Sequence, residues 1–129
     1  MDYIIRPKYI EKIKQFINKP IIKILTGMRR VGKSTLLLII KDDILKDIPN
    51  ENKIYINFES TNFFNINNAN TLLKYLQSLL ENISGKVYFF FDEIQLVSDW
   101  EQIINGLRVD RNCDIYLTGS NSTLISGDL

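Results

Sequence analysis

Residues 26–35 read TGMRRVGKST, and everything else in the chain is placed by how this stretch is read. Residues 27–34 fit the pattern of a glycine, four free positions, then glycine, lysine and serine or threonine. That pattern has a meaning only between a strand and a helix. Residues 21–27, IIKILTG, form a short apolar run ending in glycine and predict a buried strand. Residues 33–46, KSTLLLIIKDDILK, are too long for a strand and apolar nearly all round at first, so they predict a buried helix. Glycines let the backbone turn tightly and aim successive N–H groups inward. The helix behind adds its dipole and its free N-terminal donors. Together they suit a phosphate. Lys33 is placed to reach β- and γ-phosphates, Ser34 to offer a hydroxyl to Mg²⁺, and Thr35 to touch the α-phosphate. The plainer alternative, a glycine turn capping a helix with Lys33 solvated, does not account for four fixed positions in that context. Arg29 and Arg30 keep three readings: support of the loop, contact with a neighbouring subunit, or simple exposure.

Working outward, helix-period and strand-period segments alternate. A first helix is expected from near Pro7, with Ile10, Ile13, Phe16 and Ile17 on one face and Pro20 as its breaker. Residues 53–60, KIYINFES, are rich in β-branched and aromatic side chains and predict a second strand. Residues 62–70, NFFNINNAN, read as a loop with Phe63 and Phe64 tucked inward. Leu72, Leu76, Leu79, Leu80 and Ile83 mark one helical face, and Gly85 ends that helix. Residues 86–93, KVYFFFDE, carry a continuous apolar run, which suits a strand buried on both faces of a parallel sheet. Ser98 and Glu101 predict a capping box for a helix whose apolar face is Trp100, Ile103, Ile104 and Leu107. Residues 114–120, DIYLTGS, predict a fourth strand. Alternation at this spacing implies parallel strands joined by right-handed crossovers, an α/β fold with helices on both faces.

Composition narrows the classes of function. The 129 residues suit one domain or part of one. A net charge of +1, from 16 basic and 15 acidic residues, gives no general argument for nucleic acid or an anionic membrane. The basic residues are scattered, apart from Arg29, Arg30 and Lys33, which the phosphate loop already claims. A single cysteine, Cys113, and no histidine leave neither a disulfide framework nor a zinc site. No apolar run reaches the roughly 18 residues that span a bilayer. The opening MDYIIRPKYIEK lacks the order of a signal peptide, so a cytoplasmic location is expected.

The stretch VYFFFDEIQ specifies the chemistry further. Asp92 closes an apolar strand, where it can hold Mg²⁺ through water opposite Ser34. Glu93 follows at once, and a carboxylate there can orient and deprotonate the water that attacks a γ-phosphate. A kinase has no need of such a group, since its nucleophile arrives on a substrate, and GTPases usually position the water differently. The pair therefore points to ATP hydrolysis. The fourth strand ends LTGSN. Where a strand is inserted between the phosphate-loop strand and the acidic one, its tip brings a polar side chain to the γ-phosphate. Ser120 and Asn121 are both candidates, against the plain reading of a turn.

Four stretches, IIRPKYIEKI, LTGMRRVGKST, VYFFFDEIQLVSDWEQIINGL and IYLTGSNSTLIS, resemble AAA+-type P-loop ATPases. More narrowly, they are similar to the prokaryotic group with an RRVGK loop and a DEIQ…W signature, and the resemblance covers essentially the whole chain. It implies a three-layer α/β/α sandwich with strand order 5-1-4-3-2. It implies ATP and Mg²⁺ as ligands, with Gly27, Met28, Arg29, Arg30, Val31, Gly32, Lys33, Ser34 and Thr35 around the phosphates. Residues 4–9 would lie near the adenine, with Arg6 and Pro7 as neighbours. The chain departs from the pattern after LISGDL, where neither a fifth strand nor the expected arginine follows. Arg108 and Arg111 precede the fourth strand and are poor substitutes. Residues 1–129 are thus expected to be a partial ATP-binding domain, truncated before its last core strand and with an exposed edge at the first one. Full activity would need further chain and partner subunits, and a homo-oligomer of the full-length protein is one assembly that would supply them. The competing reading is a nucleotide-dependent switch with little turnover; Glu93 favours the enzyme. A small-molecule kinase would need a lid with arginines, and no segment supplies one.

Overall fold

In the computed structural model, residues 11, 14–19, 21–25 and 30–119 are described. Four strands, β1 (Lys23–Leu25), β2 (Lys53–Asn57), β3 (Val87–Asp92) and β4 (Cys113–Thr118), form one sheet. Three helices connect them: α1 (Arg30–Ile39), α2 (Ala69–Leu80) and α3 (Trp100–Asp110). Every strand pairing is parallel and the order is β1-β4-β3-β2. This is the α/β arrangement expected of a P-loop-like fold, with the order 1-4-3-2 of the anticipated sheet. The fifth member of the 5-1-4-3-2 series is not among the described strands.

Alternation along the strands divides the interior in two. Val87, Phe89 and Phe91 of β3 point to one face with Ile115 and Leu117 of β4, and there meet Leu72, Leu76 and Leu80 of α2 and Ile103, Ile104 and Leu107 of α3. Tyr88 and Phe90 point to the other face with Tyr116 and Leu25, and there meet Leu36, Leu37 and Ile40 at and just beyond α1. All six residues of β3 are buried, as a central parallel strand requires. The Phe90 and Tyr116 rings stack at 5.1 Å between centroids, which ties the two central strands together on the α1 face.

Several expectations change at the level of the single turn. Ile21 and Ile22 lie before β1 rather than in it, and Thr26 and Gly27 fall outside the described residues. α1 begins at Arg30, so Gly32 lies within its first turn rather than before it, and the chain passes at Ile40–Ile44 into a π-helical turn. α3 has no capping box. Its cap position is Asp99, held at φ 61°, while Ser98 is used elsewhere. The Ser98 N–H donates to the Asn67 carbonyl at 2.9 Å, and its own carbonyl accepts from Ala69 N–H at 2.9 Å, so its backbone is fixed in a bridge to the start of α2. The real capping box belongs to α2, where the Asn68 side chain accepts from Thr71 N–H at 2.9 Å and Thr71 Oγ1 accepts from Asn68 N–H at 3.3 Å. Phe63 packs edge-on against Tyr75, but Phe64 is 79% exposed, one residue too far round the short turn Thr61–Phe63 to reach the core. Leu79 is 38% exposed because the buried stripe of α2 runs through Leu72, Leu76 and Leu80, four residues apart. Of the first expected helix, Ile10, Ile13 and Pro7 fall outside the described residues; Glu11 and Lys14 are helical and Asn18 ends the turn at φ 64°. No helix of the described residues is long and apolar enough to cross a membrane.

Candidate functional site

On the α1 face the strands are apolar in the middle and polar at both ends. At the carboxyl end stand Asp92 of β3 and Thr118 of β4, one step beyond the Phe91–Leu117 pair, with Tyr55 of β2 beside them. Asp92 is fully buried. Its Oδ1 accepts from the Thr118 hydroxyl at 2.6 Å and its Oδ2 accepts from the Tyr55 hydroxyl at 2.9 Å. Burial first, and then the charge of Asp92, push the Tyr55 phenol well above its ordinary range, so it remains a donor.

The chain turns sharply after Asp92. Glu93 sits in the left-handed region at φ 59°, ψ 55°, a conformation that costs a non-glycine residue roughly 1 kcal/mol or more. Its N–H donates to Thr118 Oγ1 at 2.9 Å, so one hydroxyl holds both acids: it donates to Asp92 and accepts from Glu93. The turn sends the Glu93 side chain to Lys33. The ammonium Nζ lies 3.8 Å from Glu93 Oε2 and donates to the Gly119 carbonyl at 2.8 Å. The other carboxylate oxygen, Oε1, accepts from Gln95 Nε2 at 2.7 Å. Lys33 and Glu93 are each only 7% exposed. A distance of 3.8 Å is an ion pair rather than a hydrogen bond, so Lys33 is held mainly by the carbonyl beyond β4.

Lys33 and Glu93 therefore meet where the strands end and α1 begins, and Thr118 joins Asp92 to the backbone of Glu93. Ser34 and Thr35 follow Lys33 in α1 and are half-buried. Arg30, Val31 and Gly32 lie in the first turn of α1. Gly27, Met28, Arg29, Ser120, Asn121, Arg6 and Pro7 fall outside the described residues. Three side chains of the cluster, Thr118, Tyr55 and Gln95, carry no assigned part in the sequence reading. Thr118 sits beside the glycine of LTGSN and Gln95 inside DEIQ, so motif position offered a signal for both; Tyr55 enters only through the register of β2 on β3.

A second polar cluster occupies the opposite end of the same face. Lys23 of β1 is fully buried and forms an ion pair with Asp114 of β4. The Tyr116 hydroxyl donates to Asp114 Oδ2 at 2.6 Å, and Asn18 N–H donates to the same oxygen at 2.9 Å. The Tyr88 hydroxyl and Lys86 Nζ both donate to Asn18 Oδ1, at 2.8 and 2.6 Å. This end ties the segment before β1 to the sheet and brings together no phosphate-loop residue. The groove between α2 and α3, lined by Leu73, Ile103, Gly106 and Leu107, lies on the other face of the sheet.

A family model described as an AAA domain matches residues 19–129. An uncharacterized protein of Haemophilus influenzae is 40% identical over 125 residues, which cover 96% of this chain and 31% of the relative. An uncharacterized protein of Methanocaldococcus jannaschii is 38% identical over 120 residues, covering 92% of this chain and 25% of the relative. The chain thus spans about a third and a quarter of the lengths of these relatives.

Proposed function

The chain belongs to the AAA domain family and is a P-loop NTPase-like domain, and from that membership we propose that it binds ATP with Mg²⁺ and hydrolyses it. The observation that carries this reading is the meeting of Lys33 and Glu93, 3.8 Å apart and buried, beside an Asp92 that Thr118 holds in place. The loop of Gly27, Met28, Arg29, Arg30, Val31, Gly32, Lys33, Ser34 and Thr35 takes the phosphates, and Arg6 and Pro7 stand near the adenine. Lys33 exchanges the Gly119 carbonyl and Glu93 for the β- and γ-phosphates. Glu93 accepts a proton from water as the water oxygen bonds to the γ-phosphorus; the bond to the bridging oxygen breaks, and its electron pair leaves with ADP. Ser120 or Asn121, beyond Gly119, supplies the polar contact to the γ-phosphate.

The residues fit Mg²⁺. Ser34 and Asp92 are hard oxygen donors, and each Asp92 oxygen accepts one hydroxyl, which leaves lone pairs for a metal-bound water. When bound, the ion neutralises charge on the β- and γ-phosphates. Residues 1–129 would act as the nucleotide-binding part of a longer ATPase.

The test uses the full-length protein with Mg²⁺ and a fluorescent ATP analogue. Saturable binding is expected, and Lys33→Ala should abolish it. Glu93→Gln should bind as the parent does and release phosphate about 10²–10⁴-fold more slowly. Equal binding by Lys33→Ala, or unchanged turnover by Glu93→Gln, would sink the roles assigned here.

A further inference from the structure

We propose that Gln95 is a positioning residue, whose side-chain amide keeps the Glu93 carboxylate in its working orientation once Lys33 has moved to phosphate. This rests on the ATPase reading above and assigns it one more residue. Among the described residues two side chains reach the Glu93 carboxylate. Lys33 Nζ stands 3.8 Å from Oε2, and Gln95 Nε2 donates to Oε1 at 2.7 Å. The reaction removes the first, because Lys33 is needed at the phosphates. A carboxylate as buried as Glu93 does not stay in place unpartnered; it turns toward water or toward another donor. Gln95 remains, because its backbone is anchored independently of the nucleotide.

That anchoring is visible on both sides. Gln95 lies in the short turn Ile94–Leu96, between Ile94 and Val97, both fully buried in the core on the α2 and α3 face. Glu93 is fixed at its own backbone by the bond from its N–H to Thr118. The residue is therefore held at two points, by Thr118 at the amide and by Gln95 at the carboxylate. The orientation of the Gln95 amide also follows from chemistry. Glu93 Oε1 is an acceptor, so the nitrogen must face it. This turns Gln95 Oε1 into a buried position where no described group donates to it.

The experiment measures Mg-ATP affinity and single-site turnover in full-length protein for Gln95→Met, Gln95→Asn, Glu93→Gln and the double variant Glu93→Gln/Gln95→Met. Gln95→Met keeps length and loses the donor. It is expected to bind the fluorescent ATP analogue within about twofold of the parent and to turn over roughly tenfold or more slowly. Gln95→Asn keeps the amide on a shorter stem and should recover part of that loss. In the Glu93→Gln background Gln95→Met should have no further effect, because it acts only through Glu93. Full turnover by Gln95→Met overturns the proposal, and so does a loss that adds undiminished to that of Glu93→Gln, or one that follows lowered affinity and melting temperature. Glu93→Gln separates the two readings. If it retains turnover, the base assignment itself fails; if it is inactive while Gln95→Met is fully active, only the role of Gln95 falls.

Discussion

Thr118 is the residue on which the geometry of both acids depends. Its single hydroxyl donates to Asp92 Oδ1 at 2.6 Å and accepts from Glu93 N–H at 2.9 Å, and it is fully buried. Valine has nearly the same shape and neither function. Thr118→Val therefore leaves a buried N–H unpaired and strips one donor from a buried carboxylate, which should lower stability by about 1–3 kcal/mol. Thr118→Ser keeps the hydroxyl and loses one methyl, for about 1 kcal/mol. Urea unfolding of the two variants checks the order; if Val is as stable as Ser, the hydroxyl does not join the acids. The same comparison applies to turnover, where Ser should stay near the parent and Val should fall, since Glu93 loses its backbone anchor. Sequence pattern alone gives this position no role of its own. LTGSN marks a polar strand tip, and attention goes naturally to Ser120 and Asn121 beyond the glycine. Which residue of the tip faces Asp92 is decided by the β3–β4 register, and register is a long-range property that a single segment does not display.

At the scale of the element, α1 shows what local pattern can and cannot convey. Its apolar character and its place between two strands are plain in LLLII, and so are the kinds and order of the described strands and longer helices that follow it. The change to a π-helical turn at Ile40–Ile44 is not, because five residues are too few to separate an i→i+5 bond from an i→i+4 bond by side-chain period. The Leu45 N–H reaches back to the Ile40 carbonyl at 2.9 Å, and the neighbouring carbonyls need other donors. Lys53, the first residue of β2, supplies them: its Nζ donates to the Lys41 carbonyl at 2.9 Å and the Leu45 carbonyl at 3.1 Å while itself nearly buried. Lysine at a strand start reads as a solvated charge, and its real partners lie 12 and 8 residues upstream in sequence. Lys53→Met keeps the stem and removes the donors. It should cost about 1–3 kcal/mol and speed amide hydrogen exchange across residues 40–46. Unchanged exchange there would mean that the carbonyls are satisfied without Lys53. The misplaced capping box has the same origin. S-x-x-E at Ser98 is a sound local signature, but the Ser98 backbone bridges to Asn67 and Ala69, and no pattern within α3 announces that.

Over the whole molecule, the α1 face of the sheet is a band of stacked aromatic and aliphatic side chains with a polar cluster at each end. The carboxyl end of the strands holds Tyr55 against Asp92, and the opposite end holds Tyr116 against Asp114 and Tyr88 against Asn18. Burial, reinforced by these carboxylates, raises all three phenols above their ordinary range, and burial also raises the Cys113 thiol. For Lys23 burial outweighs its pairing with Asp114 and lowers the ammonium. The signs differ. A raised phenol means that the unfolded chain gives up its proton first, so the stability it contributes is whole below about pH 10 and is lost as pH climbs toward the folded value. A lowered ammonium means that the unfolded chain keeps its proton longer, so Lys23 adds stability with rising pH and stops doing so above about pH 10.4. Beyond that point the phenols act unopposed. Stability measured by urea unfolding should therefore fall steeply at alkaline pH, with each retained phenol contributing up to about 1.4 kcal/mol per pH unit. Tyr116→Phe and Tyr55→Phe should each start lower at neutral pH, because Asp114 or Asp92 loses a donor, and each should flatten the alkaline limb by as much as one proton. An alkaline slope identical to that of the parent in both variants would mean that these phenols titrate alike in the folded and unfolded chain. A slope changed by Tyr116→Phe alone would place the alkaline sensitivity at the Asp114 end and leave the Asp92 end free to keep its Tyr55–Asp92 bond over the whole range.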